Sequence, residues 1–317
     1  MDSPKVLDIE SKSHRDESIQ FFTSIYSFEN SSDLVSIDFS PLEVISDEAF
    51  TLLFSLMSLI KCDQGRVINF IRPKNDLIKK LFIDNGFWVF TGREIGSSGV
   101  HKFKKMLTGV ASKESSLDLI DYILKYSKLS QLPYRLRGAI QEAIYNIQTH
   151  AYKNNHLITN HSDLDFLHSK YNTDFKRGRW WCFFDIKIQG PTNELILVIS
   201  DIGIGIQKPL NAKFKGTDNE SETVEDHKAI IFSMIEGITS TPDDRGYGST
   251  DLQTPLLNSQ KHLMTIFSNR GAVKFTNFKD AEATNPASRV AKLFQSSSVG
   301  TIVKWVVDIK EYVNEKH

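Results

Sequence analysis

Residues 180–205, WWCFFDIKIQGPTNELILVISDIGIG, contain two apolar stretches separated by a short polar segment with Gly190-Pro191. Aromatic and β-branched residues dominate both stretches, which predicts two antiparallel strands joined as a hairpin. The second strand, 194–200, ends at Asp201, and two glycines follow. An acceptor carboxylate at the end of a buried strand, followed by residues that permit close approach, indicates a ligand-binding loop or a tight strand exit.

Helical patterns precede this hairpin and further strand patterns follow it. Helices are predicted over 116–126 and 134–152, with a polar loop or insertion from 153 to 177. Strands are predicted at 263–268, 273–275 and 300–309. Two helices followed by an antiparallel sheet favour an α+β fold, a two-layer α/β sandwich, over a doubly wound nucleotide fold.

The N-terminal part of the chain has a different order of elements. Strands are predicted at 35–39 and 66–71, each followed by a helix, and the order βαβα implies parallel pairing. Residues 96–116 are rich in Gly, Ser and Lys, so we place the domain boundary there. The predicted organisation is a polar lead-in over 1–33, a small α/β domain over 34–105, and a second domain over 116–317.

Composition limits the class of protein. The chain has 317 residues with 38 basic and 39 acidic side chains, which predicts two globular domains without the basic excess typical of a nucleic-acid protein. Its longest apolar stretch, 49–60, is too short to cross a bilayer, and its N-terminus lacks an apolar secretion segment. Cys62 and Cys182 fit no zinc spacing and suit a reducing compartment. We therefore expect a cytoplasmic protein without a membrane partner.

A polar stripe is predicted on the second helix of the C-terminal domain. Glu142, Asn146 and His150 are spaced four residues apart, so they project from one face of the helix. A carboxamide oxygen is a hard ligand for Mg²⁺, and a neighbouring carboxylate can orient or deprotonate a water. The spacing alone is equally typical of a solvated helix face.

Two glycine-containing segments complete the pattern. Gly246 and Gly248, with Arg245 beside them, offer backbone N–H groups and a cation to anionic oxygens, particularly if a helix starts near Asp251. An ordinary flexible loop has the same composition. Gly300-Thr301 opens the last apolar strand. A dinucleotide fingerprint is excluded because position 208 is lysine, and the sequence contains no phosphate-binding loop of the Gly-x-x-x-x-Gly-Lys type.

In this order the four segments resemble the GHKL ATPases, the family of gyrase, MutL-type repair proteins, histidine kinases and anti-sigma-factor serine kinases. The resemblance covers roughly residues 116–310. The segment from Glu142 to Tyr152 resembles the family's N box, including the trailing His150 of the anti-sigma kinases. The three glycine boxes correspond to Asp201-Ile-Gly203-Ile-Gly205, Gly246-Tyr-Gly248 and Gly300-Thr301.

The resemblance implies a role for each matching residue. It assigns Asn146 to Mg²⁺, Glu142 to water activation, and His150 to an auxiliary role. Nucleotide-binding roles fall to Asp201 at the adenine amino group, Thr301 on the adenine side, Gly203 and Gly205 in the first box, and Arg245, Gly246 and Gly248 at the phosphates. The span of about 206–250, with a helix at 229–235, would be an ATP lid. Ser249-Thr250-Asp251 depart from the family, which usually has leucine after the second glycine box.

The N-terminal domain resembles the STAS domains of anti-sigma-factor antagonists over residues 35–90. In that family a phosphorylatable serine begins the helix after the first long strand. The resemblance places Asp47 or Glu48 there, which implies a docking or scaffold element, although a one-residue shift would restore the hydroxyl of Ser46. A generic small α/β domain fits the same residues.

Together these observations predict a cytoplasmic Mg²⁺·ATP-binding ATPase that acts as a conformational switch, with a STAS-like interaction domain. An anti-sigma-type protein serine/threonine kinase and a non-hydrolysing nucleotide-bound adaptor fit the same residues. The resemblance also implies a protein partner for the STAS-like domain and a homodimer on ATP binding. Nucleic acid is not indicated.

Overall fold

The computed structural model describes residues 1–27, 35–64, 68–88, 101–133, 135–152, 178–189, 192–207, 210, 224–235, 248–257, 261–276, 288–310 and 312. They form a mixed α+β structure. The elements are β1 (Val6–Leu7), α1 (Arg15–Ser27), β2 (Val35–Asp38), β3 (Val44–Ile45), α2 (Asp47–Gln64), β4 (Ile68–Ile71), α3 (Asp76–Asp84), β5 (His101–Phe103), β6 (Met106–Val110), α4 (Lys113–Ser127), α5 (Leu136–Asn146), a π-helical turn (Ile147–Ala151), β7 (Arg179–Gln189), β8 (Thr192–Ser200), α6 (Asp226–Ser233), α7 (Gly248–Gln253), a 3₁₀ turn (Thr254–Leu256), β9 (Leu263–Ser268), β10 (Gly271–Thr276), β11 (Ser288–Leu293) and β12 (Thr301–Asp308).

The central feature is an antiparallel sheet in the order β11-β10-β9-β12-β8-β7-β6-β5. The predicted hairpin is confirmed as β7 and β8, with Trp181 opposite Ser200. On its other side β8 pairs with β12, where Ile302 lies opposite Ser200. This register places the residue after β8, Asp201, beside the first residue of β12, Thr301.

Both faces of this sheet are covered by helices. On one face Trp180, Phe184 and Leu197 belong to the apolar core that includes α4 and α5. On the other face Trp181, Phe183 and Val198 belong to the core that includes α1 and α2, with the rings of Phe50 and Phe183 5.6 Å apart. The predicted two-layer sandwich therefore has a third layer from the N-terminal region. Burial on both faces explains why β7 and β8 are almost continuously apolar.

The N-terminal region contains the predicted parallel pairing. β2 lies parallel to β4, with Ile37 opposite Phe70, and α2 connects them in sequence. β1 lies parallel to β3. The helix predicted after the second strand is α3, which begins where the Asn75 side chain accepts hydrogen bonds from the Leu77 and Ile78 N–H groups and is followed by Gly86 with a φ of 71°.

The polar lead-in predicted over 1–33 is wrong for the described residues 1–27. They form β1 and α1, and the apolar face of α1, including Ile19, Phe22 and Ile25, is fully buried. Arg15 is also buried, and its guanidinium donates hydrogen bonds to the Ile9 and Glu10 carbonyls at 2.8 and 2.6 Å. Glu17, Gln20 and Ser24 lie on the solvent side of the packed helix, whereas Arg15 and Ser18 are buried.

The predicted boundary at 96–116 contains two strands that the sequence analysis missed. β5 and β6 form a hairpin, and β6 pairs with β7 through Met106 opposite Phe183. The domain end predicted at residue 105 therefore falls in the turn of a hairpin whose strands both belong to the large sheet. β11 was missed as well. None of the helices that the structure describes is long and apolar enough to span a bilayer.

Candidate functional site

The predicted polar stripe begins on α5, which is an α-helix only to Asn146 and continues as the π-helical turn. The half-buried Glu142 and Asn146 side chains are hydrogen-bonded to each other. Burial raises the pKa of Glu142, the Asn146 hydrogen bond lowers it, and the negative charge of Asp251 raises it further. A carboxylate with a raised pKa beside a carboxamide suits proton transfer.

The segment after the predicted second glycine box lies against this stripe. Gly248 is the first residue of α7, which agrees with the helix expected near Asp251, and α7 packs on α5. The Trp305 indole on β12 donates a hydrogen bond to the Leu252 carbonyl at 3.1 Å, which ties α7 to the sheet. Arg245, Gly246 and the lid residues 208–209, 211–223 and 236–247 lie outside the described residues. The helix expected at 229–235 is α6, three residues earlier.

A strongly perturbed carboxylate lies at the end of β8. Asp201 is 4% exposed, and its Oδ1 accepts a hydrogen bond from the Gly203 N–H at 2.7 Å. Its own N–H donates to the Thr301 carbonyl at 2.9 Å. Burial raises the pKa of Asp201 to about 7, while hydrogen bonds from the backbone of Gly203 and Thr301 limit the rise. A buried carboxylate that titrates near neutrality is a strong candidate for ligand recognition.

The N-box helix and the first glycine box are in direct contact. The Ile204 N–H donates to the Ala151 carbonyl at 2.8 Å, which joins the loop to the end of the π-helical turn. The hydroxyl of Tyr152 donates to the Arg179 carbonyl at 2.7 Å and accepts from the Ile202 N–H at 3.3 Å. Two segments that are remote in sequence are therefore held together, and the helix geometry changes to a π turn where they meet.

The glycines of these boxes were predicted to permit close approach of a ligand, and in the structure neighbouring protein atoms lie close to them. A Cβ on Gly203 would lie 2.2 Å from the Ala151 carbonyl oxygen, and a Cβ on Gly300 would lie 2.1 Å from the Asp201 carbonyl oxygen. Gly205 and Gly300 also have φ angles of 77° and 70°, in the left-handed region that favours glycine. Gly203 has no such backbone angle, and at all three positions the missing side chain makes room for neighbouring protein atoms.

The substitution Gly203→Ala is expected to lower the free energy of unfolding by about 2–3 kcal/mol, because the added methyl group overlaps Ala151 and pushes the two segments apart. Gly138→Ala on α5 is the matched control, since a Cβ there meets no atom within 4 Å. That change should raise stability by about 0.5–1 kcal/mol through helix propensity. Urea denaturation measures both, and equal effects would contradict the packing role of Gly203.

Thr301 is linked to a residue that the sequence analysis did not single out. The Thr301 and Ser268 hydroxyl oxygens lie 3.5 Å apart, and Ser268 Oγ accepts the Ile206 N–H at 2.9 Å. Ser268 is the last residue of β9, which pairs with β12 opposite Thr301. The sequence feature that could have pointed to Ser268 is its position as a serine at the end of an apolar strand.

Behind the site, α2 contacts the two strands that carry Asp201 and Thr301. The Ser55 and Ser200 hydroxyl oxygens are 3.0 Å apart. The Lys304 ammonium on β12 binds Glu48 Oε2 at 2.9 Å and Glu10 Oε2 at 3.1 Å. Glu48, one of the two residues that the STAS resemblance places at the position of the phosphorylatable serine, is fully buried against the sheet. Asp47 likewise faces the sheet, 3.6 Å from the Lys187 ammonium.

Within the ranges that the structure describes, no group of three or more His, Cys, Asp or Glu side chains is arranged to hold a metal ion. A Mg²⁺ ion that shares its ligands between one amide oxygen, nucleotide phosphates and waters does not require such a group. Asn146 supplies an amide oxygen of this kind, and His150 lies half-buried one turn further on.

A scan against protein-family models finds no match for this chain. A search of curated proteins finds no significant relative either. The function is therefore inferred from the motifs and from the contacts between the elements that carry them.

Proposed function

We propose that the protein binds Mg²⁺·ATP between α5, the loop 201–205 and the start of β12, and hydrolyses it as a GHKL-type ATPase switch. The observation that carries the proposal is the buried Asp201 at the end of β8, bonded to Thr301 and in a loop bonded to the N-box turn. The GHKL resemblance implies that four motifs, which are separated in sequence, form one site. The described parts of all four lie on adjoining elements.

The residues present suit this ligand. Asp201 is an acceptor for an exocyclic amino group, and the Thr301 hydroxyl offers a further hydrogen bond nearby. Asn146 would hold Mg²⁺, which neutralises phosphate charge when bound. Glu142 has the raised pKa of a base that accepts a proton from water. In this proposal the sheet with α4 and α5 is the GHKL sandwich, and the parallel β2 and β4 with α2 form the STAS-like unit.

Two alternatives have specific support. His150 matches the N box of the anti-sigma serine kinases, in which a partner hydroxyl replaces water as the phosphate acceptor. Ser249-Thr250-Asp251 follow the second glycine box where the family usually continues with leucine, and the Asp251 charge acts on Glu142. The altered sequence after the second glycine box favours an adaptor that binds nucleotide without hydrolysing it.

The test is ATP binding by calorimetry with and without Mg²⁺, followed by phosphate release from the same sample. Glu142→Gln should retain ATP affinity within about threefold and lose at least about 100-fold in phosphate release, since a general base contributes that much. Glu17→Gln, an exposed carboxylate on α1, is the control and should change neither.

The outcomes separate the candidates. Wild-type binding with release supports the ATPase, and release unchanged in Glu142→Gln contradicts the role of that residue. Binding with phosphate transferred only to a partner protein indicates the kinase, and binding without any transfer indicates the adaptor. Absence of ATP binding overturns the proposal. Light scattering in the same buffers tests the homodimer expected on ATP binding.

A further inference from the structure

The turn between β9 and β10 lies between the first glycine box and α6. Its central residue, Asn269, has a φ of 51°, a left-handed conformation that asparagine tolerates better than most residues. The Asn269 carbonyl accepts the Ser298 N–H at 2.8 Å, which fixes the backbone of the turn. No sequence pattern singles out Asn269, because a polar residue in a turn is common and its neighbours in space are not evident from the sequence.

One side of the Asn269 carboxamide faces the glycine loop. A Cβ on Gly205 would lie 2.5 Å from the carboxamide nitrogen and 2.6 Å from its oxygen. The carboxamide therefore occupies the space that any larger residue at position 205 would need. One residue further along the loop, the Ile206 N–H is held by Ser268. A change in the position of Gly205 must consequently displace the Asn269 side chain.

The other side of the carboxamide faces α6. Asn269 Nδ2 donates to Asp226 Oδ1 at 3.4 Å, and the Arg270 N–H donates to Asp226 Oδ2 at 3.2 Å. Asp226 is 7% exposed and is the first residue of α6. The turn also packs closely on this helix, since a Cβ on Gly271 would lie 2.6 Å from the His227 nitrogen. The helix belongs to the span 206–250 that would be the ATP lid if the GHKL resemblance holds.

We propose that Asn269 is a positioning residue that couples the glycine loop 201–205 to α6, so that nucleotide bound at Asp201 controls the chain around α6. This inference rests on the proposed function. The coupling is direct, because one side chain touches Gly205 and bonds Asp226, and its backbone is held by Ser298. Removing the carboxamide should leave the adenosine-binding residues in place and break the connection.

The test variant is Asn269→Gly, which keeps the left-handed backbone conformation and deletes only the side chain. Limited trypsin digestion, which reports cleavage after Lys213, Lys215 and Arg245, is compared without nucleotide and with the non-hydrolysable analogue adenylyl imidodiphosphate plus Mg²⁺. In the wild type the analogue should slow cleavage about tenfold or more, the expected scale of a coupling free energy. In Asn269→Gly the analogue should change the cleavage rate by less than about twofold, while the ADP affinity measured by calorimetry stays within about threefold of the wild type.

Lys128→Gly is the matched control, because Lys128 also has a left-handed φ, 56°, but ends α4. The Lys128→Gly variant should show the same protection from trypsin by the analogue as the wild type. If Asn269→Gly does not fold, Asp226→Asn tests the same contact from α6 and should lose protection in the same way. In the double variant the loss should not exceed that of either single change, as expected for one shared interaction.

The two proposals fail in different ways. If the wild type binds no ATP or ADP, the proposed function is overturned. If the wild type binds nucleotide and Asn269→Gly retains full protection, only the coupling role of Asn269 is overturned. A large loss of ADP affinity in Asn269→Gly also contradicts it, because that result places Asn269 in the binding of the nucleotide itself.

Discussion

The substitution Lys304→Met is expected to lower the free energy of unfolding by about 3–5 kcal/mol, because it leaves the buried carboxylate of Glu48 without its counter-charge. Lys304 is 9% exposed and Glu48 is fully buried. Burial raises the pKa of Glu48 and the Lys304 charge opposes that rise. For Lys304, burial lowers the pKa, but the charges of Glu48 and Glu10 outweigh it and the net shift is upward. Urea denaturation followed by tryptophan fluorescence measures the loss.

Two further variants distinguish this account from a general packing defect. Glu10→Gln removes the more exposed partner of Lys304 and should cost no more than about 1 kcal/mol. The double variant Glu48→Leu with Lys304→Met replaces the pair by apolar side chains and should recover to within about 1 kcal/mol of the wild type, as buried pairs often do. A double variant as unstable as Lys304→Met alone would contradict the role of the uncompensated charge.

The position of this ion pair bears on the proposed partner of the N-terminal unit. Lys304 lies three residues after Thr301, and Ser55 contacts Ser200, the residue before Asp201. The first half of α2, which contains Glu48 and Ser55, therefore packs against the back of the proposed nucleotide site. The Glu48 carboxylate is fully buried there and is therefore not accessible to a partner protein, whereas Ser46 and Asp47 remain partly exposed.

The sequence predicted best those elements whose pattern is dictated by burial. β9 was predicted with its observed bounds, and β7, β8 and β12 to within a few residues, because apolar runs bounded by turn residues are required in the middle of a sheet. β5 and β6 were missed. They are short and contain glycine and lysine, and their backbone groups are satisfied only by pairing with each other and with β7.

In the candidate site, too, the sequence identifies some residues but not the contacts between them. The motifs named Asp201 and Thr301, but the contact between them depends on the pairing of β8 with β12, which no local pattern reveals. Lys304 carried a signal, since a lysine within an apolar strand requires a buried partner or a solvent-facing edge. Asn269 carried none, because its importance arises only where the β9–β10 turn meets the glycine loop.

The affinity for ATP is expected to rise with pH between 6 and 8, because the ionised form of Asp201 accepts the adenine amino group and burial raises the pKa of Asp201 to about 7. Affinity at pH 6 should be about tenfold below its plateau, and binding at pH 6 should release close to one proton. Calorimetry in buffers of different ionisation enthalpy measures both. Tyr152 stays protonated over this pH range because burial and the negative charge of Asp201 both raise its pKa above the ordinary value.

Stability should follow the opposite trend. Because the folded pKa of Asp201 lies above its ordinary value of 3.8, folding favours the protonated carboxyl group, and its contribution to stability falls as pH rises from about 4 to 7. Asp201→Asn, which keeps the size of the side chain, should remove this slope and weaken ATP binding about 100-fold, because the charged acceptor is lost. Asp118→Asn, an exposed carboxylate on α4, should alter neither property. An ATP affinity that is constant from pH 6 to 8, with no proton released, would contradict the role of Asp201 as the adenine acceptor, even if the stability slope is found.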